Sequence, residues 1–141
     1  MMRRAALACA LLLVPAIAQA QDPPRTTNLY QNFPNPFPAG GGLTTCVWFD
    51  VARDTDVLVQ VLDIRGNVVR TLVPSDAVPP NHVAGRYGRA SGNLPDGFGC
   101  DDRYTWDGVA SDGRVVPAGV YLLHMRADGI EVVRRMLFLG R

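Results

Sequence analysis

Apolar and polar residues alternate along Thr44–Val51, with Val47, Phe49 and Val51 on one face and Cys46, Trp48 and Asp50 on the other. Period-two alternation predicts a strand with one buried face. Val57–Asp63 repeats the pattern through Val57, Val59 and Val61, and Val68–Val73 runs back after Arg65-Gly66-Asn67. This is a hairpin, with Gly66 at a position that favours positive φ. Strand signals return at Arg103–Trp106, Val120–Arg126 and Val132–Leu139, separated by the turn pairs Asp107-Gly108, Asp112-Gly113 and Asp128-Gly129. A further strand is expected near residues 29–33. After the first 20 residues no stretch has helical period. Six to seven short antiparallel strands with frequent turns predict an all-β sandwich. Its core should hold Val47, Phe49, Val57, Val59, Val61, Tyr104, Trp106, Tyr121, Leu123 and Met125.

Three segments break the pattern. Residues 1–20 carry Arg3 and Arg4, an apolar run from Ala5 to Ile17, and Ala18-Gln19-Ala20. That is the layout of a cleaved secretory signal peptide, and the run is short for a membrane span. Cleavage before Gln21 is expected. Intact-mass measurement of exported protein checks it, and a mass that includes Met1–Ala20 overturns it. With the signal gone, no membrane span remains. Gln21–Asn28 forms a polar leader, and the domain proper runs from 29 to 141. The second break is Leu29–Phe37, LYQNFPNPF, where Pro34 and Pro36 exclude a central strand. The third is the proline- and glycine-rich stretch 74–100, an insert unusually long for a structureless loop.

Charge narrows the function classes. Fourteen arginines and no lysine face 13 acids, a formal net charge of +1 without charge blocks, so nothing points to nucleic acid. Cys9 falls in the signal. Cys46 and Cys100 form an even pair, for which an oxidising compartment favours a disulfide over two separate thiols. Such a bond would lay the end of the insert over the face carrying Trp48. A metal site is poorly supported, because these cysteines, His82 and His124 lack ligand spacing. Asp101, Asp102, Asp107 and Asp112 do not match a calcium loop and read as turn residues. Ser75, Ser91 and Ser111 all sit in turn-rich segments, and alternation puts His124 on the solvent side. No nucleophile elbow, phosphate loop or zinc-protease motif occurs. No catalytic residue and no cofactor are expected. Trp106 reads as a core plug at a strand end, whereas Trp48 points outward and needs a cover or a partner.

The ordered set LYQNFPNPF, TTCVWFDV, VLVQVLDIRGNVVRTLV, YTWDGVASDGRVVPAGVYLLHMRADG and RRMLFLGR resembles the FlgD-type immunoglobulin-like domain. In this form the resemblance extends to the C-terminal sorting domain of type IX secretion, the Por system. It covers residues 29–141. The motif positions are Asn32, Pro34, Asn35, Pro36 and Phe37, then Asp63 and Gly66, then Trp106, Asp107 and Gly108. Asp112, Gly113, Gly119, Val120 and Tyr121 complete them. The resemblance implies an immunoglobulin-like antiparallel sandwich in which Phe33 and Phe37 anchor the proline segment and the prolines blunt a sheet edge. It also implies recognition by outer-membrane secretion machinery, with Arg134 and Arg135 in the region facing the translocon. The chain would then pass through the periplasm to the cell surface or the extracellular space. Such domains are appended to cargo, yet here the signal leads almost directly into the domain. The alternative is a stand-alone extracellular structural or binding module, or a fragment of a larger secreted protein, with an extracellular protein as partner.

Overall fold

The computed structural model describes residues 22–90 and 99–141. The expected signal peptide, Ser91 and part of the insert lie outside the described residues. Among the described residues ten strands follow one another: β1 (Asn28–Leu29), β2 (Thr45–Cys46), β3 (Phe49–Val51), β4 (Thr55–Leu62), β5 (Val68–Val73), β6 (Asn81–His82), β7 (Gly85–Tyr87), β8 (Thr105–Trp106), β9 (Gly119–Ala127) and β10 (Ile130–Phe138). One 3-10 turn, Asp102–Tyr104, precedes β8. The main sheet runs β10-β9-β4-β5, with β6 pairing the start of β4. A smaller sheet, β1-β3-β7, and the pair β2-β8 form the opposing layer. All strand pairs are antiparallel, giving an all-β sandwich-like arrangement.

The expected core is the observed one. All ten residues named from alternation are buried, joined by Leu29, Phe37, Val51, Leu72, Val73, Val78, Ala127, Met136 and Phe138. Alternation works because Val57, Val59 and Val61 of β4 meet Ala127, Met125 and Leu123 of β9 in register, so one face of both strands is apolar.

Two expectations change. The stretch 44–51 is not one strand. It splits at Val47–Trp48, so that β2 pairs with β8 and β3 pairs with β1 and β7. At the break the Val47 amide donates to the Tyr104 carbonyl at 2.9 Å. Gly88 lies against the same residue, where an added Cβ would sit 1.9 Å from the Val47 carbonyl oxygen. Only glycine fits there, and its φ of +83° is also one that other residues avoid. The insert, likewise, is not a bare loop. It supplies β6 and β7 and buries Val78 and His82, so main-chain pairing and burial hold it as well as the cysteines.

Candidate functional site

Part of the motif set meets around one indole: Phe37, Gly108 and Tyr121 gather about Trp106, together with Phe138 of the last strand. Phe37 is fully buried and packs its ring against Trp106 (5.5 Å between centroids) and Phe138 (5.1 Å). Trp106 is edge-on to Tyr121 at 5.2 Å, and its indole N–H donates to the Val109 carbonyl at 3.0 Å. Trp106 is thus the expected core plug. Gly108 has φ +79°, and a Cβ there would fall 2.3 Å from Phe138 Cζ. The glycine of the W-D-G turn is therefore required by both conformation and space. Asp107 accepts the Val109 amide through Oδ1 and receives Arg141 at 3.2 Å on Oδ2. The Tyr121 hydroxyl donates to the Pro117 carbonyl at 2.6 Å, and burial raises its pKa. Val120 is exposed on the outer face.

The proline segment lies along the free edge of β10. The Phe37 amide donates to the Leu137 carbonyl, and the Leu139 amide donates to the Phe37 carbonyl. Where the segment cannot pair through its main chain, side-chain amides substitute. Asn35 donates to the Arg135 carbonyl (3.3 Å) and accepts the Leu137 amide (2.9 Å), and Gln31 donates to the same Arg135 carbonyl (2.9 Å). Asn32, only 2% exposed, fixes the bend by donating to Thr45 Oγ1 and to the Pro34 carbonyl. Prolines fit because these positions need no ladder N–H. Pro36 is exposed.

The expected pair of aromatic anchors divides. Phe37 is in the core, but Phe33 is 58% exposed and stacks on Trp48. It leaves the core because its main chain pairs with Cys46, which directs the ring to the outer side of β2. Arg134 and Arg135 also divide. Arg134 is half-buried, donating from Nε to the Leu29 carbonyl at 2.8 Å, while Arg135 is exposed.

Elsewhere the motif aspartates organise turns. Asp63 accepts the amides of Arg65 and Asn67 and the Asn67 side chain, and these bonds, the Asn67 side chain first, lower its pKa. Gly66 supplies the positive φ of that turn. Asp112 accepts the Arg114 amide beside Gly113, and Gly119 opens β9. Asp101 caps the 3-10 turn and holds Arg103, which lowers its pKa.

Cys46 and Cys100 form a disulfide with Cα atoms 5.7 Å apart. It ties β2 to a short ladder in which Arg89 pairs with Cys100. His82 is buried, with Nε2 at 3.3 Å from the Tyr104 hydroxyl. His124 corrects an expectation: it is on the outer face of β9 but only 9% exposed. Gln60 and Val133 stand beside it in register, and Glu131 meets its Nε2. The Ser111 hydroxyl donates to the Val69 carbonyl. Sequence reasoning missed Gln31, Arg141 and Gly88, because each acts through a partner distant in the chain.

No protein-family profile matches the chain, and no curated sequence matches it significantly. Among solved structures it is similar in fold to dimeric latent PorU from Porphyromonas gingivalis, at 17% identity and a TM-score of 0.51. The likeness covers 82% of this chain and 9% of that one.

Proposed function

We propose that this chain is an exported, non-catalytic immunoglobulin-like domain of the FlgD type that acts in surface sorting by the type IX secretion, or Por, system. The observation that carries the reading is the meeting of part of the motif set around Trp106. There the proline segment, the W-D-G turn and the last strand lock together through Phe37, Trp106 and Phe138. The likeness to PorU, whose name belongs to the Por series, adds to it. The outer-membrane secretion machinery would read the exposed face of β10, which presents Val133, Arg135 and Leu137. Localisation would be the cell surface, reached through the periplasm.

Residues 29–141 fused behind an exported reporter should carry it to the surface of a cell with a type IX translocon. Deleting β10 is a poor control, since Met136 and Phe138 are buried and the truncated domain would unfold. Arg135→Glu with Leu137→Ser changes only exposed positions and should leave the reporter periplasmic. A reporter that never reaches the surface with the unaltered domain overturns the reading. Equal surface delivery by both fusions overturns the role of the β10 face. A second reading, a stand-alone extracellular binding module, is favoured by exposed Phe33 stacked on Trp48 beside the insert.

A further inference from the structure

The edge of β10 is guarded along half its length and open along the rest. The Arg135 carbonyl, both main-chain groups of Leu137 and the Leu139 amide all point away from β9, toward residues 31–37. In an antiparallel edge strand outward-facing groups recur at every second residue. Glu131 and Val133 therefore also direct their N–H and C=O outward, and no main-chain bond outside the ladders reaches them among the described residues. Val133 and Ile130 are exposed at this stretch.

The charges of the edge are self-complementary. If two β10 strands pair antiparallel about Val133, Glu131 of each stands opposite Arg135 of the other. Both are exposed on the same face of the strand. Arg135 has no carboxylate within salt-bridge reach among the described residues, and Glu131 meets His124 through Oε1 alone. Opposite charges directly across a strand pair favour that register. In the same register, however, the second copy's Glu131 main chain would bond at Arg135, and its Gly129 would approach Leu137. The side-chain amides of Gln31 and Asn35 already hold the Arg135 carbonyl, Asn35 holds the Leu137 amide, and the Phe37 main chain holds the Leu137 carbonyl, so the open register is centred on the Glu131–Arg135 pairs and stops short of Leu137.

We propose that the edge of β10 is a latent homodimer interface, and that Gln31 and Asn35 are its guard. The occupant of the opened edge is a second copy of this chain, joined into a continuous sheet across a two-fold axis through Val133. Edge strands left bare are templates for such pairing, and blocking one with side chains keeps the monomer. The proposal is independent of the sorting reading, because it requires no secretion partner.

Sedimentation of the full chain tests it. The unaltered protein should be monomeric, and Gln31→Ala/Asn35→Ala should shift toward twice the mass at the same concentration. Adding Arg135→Glu should return the variant to monomer, since Glu131 would then face Glu. Adding Glu131→Arg as well should restore the dimer by swapping the pair. A folded guard variant that stays monomeric overturns the proposal. So does a dimer indifferent to the charge reversals, or an unaltered protein that already dimerises through this edge. Should the double change unfold the chain, Gln31→Ala alone alters only an exposed side chain. It should give a smaller shift in the same direction, and no shift overturns the guard.

Discussion

Trp106→Ala should destabilise the domain by about 3–5 kcal/mol, the range for truncating a large buried aromatic. Against a total of about 5–15 kcal/mol for a domain of this kind, that leaves little folded protein at elevated temperature. The side chain is 2% exposed and contacts Phe37, Tyr121 and Phe138 at once. Its removal therefore opens a cavity where the proline segment, β9 and β10 meet. It also strips the Val109 carbonyl of its indole donor, a second cost that Trp106→Phe would share without the full cavity. Denaturant unfolding followed by far-UV circular dichroism measures the difference. A loss under about 1 kcal/mol would mean that Trp106 is not the keystone described.

Removing the disulfide should have an effect of similar size. Cys46 and Cys100 are 54 positions apart, and cross-linking a loop of that length restricts the unfolded chain by about 4 kcal/mol at the upper end. The effect will fall below this figure to the extent that β6, β7 and the close contact of Gly88 with Val47 still hold the insert. Cys46→Ser/Cys100→Ser, or reduction of the native protein, should lower the unfolding midpoint. Thiol titration of native protein should find neither cysteine free. An unchanged midpoint after reduction would assign the insert's order to its strands alone.

Much of this molecule was legible in the sequence because strand alternation is a local signal. The main sheet draws on the apolar period of β4 and β9 and the turn chemistry at Gly66 and Asp128-Gly129, and those residues stand where the pattern put them, whereas Met136 and Phe138 of β10 were not among the expected core residues. The insert was less legible. β6 and β7 are two and three residues long, too short for any period to register, and their strand identity comes from partners in β4 and β3. His124 was placed on the correct face but with the wrong environment, since alternation gives direction and not the height of neighbouring side chains. Phe33 failed as an anchor for a related reason: its composition matches Phe37, and only the pairing with Cys46 turns it outward. The guard amides of Gln31 and Asn35 were invisible as such, because their partners lie 104 and 100 positions away.

Those same long separations set the order of events during synthesis. Phe37 waits for Leu137 and Leu139, Thr27 for Asp128, and Asn28 for Arg134, 106 positions downstream. A ribosome delivers the first partner of every such pair long before the second. The clasp between the two ends of the fold therefore closes only once nearly the whole domain has emerged. Contacts so distant in the chain also slow folding, because a large loop must be ordered before they form. Until its last strand arrives, a nascent chain of this design lacks the clasp that joins its two ends, while local pairs such as β4–β5 need no such wait.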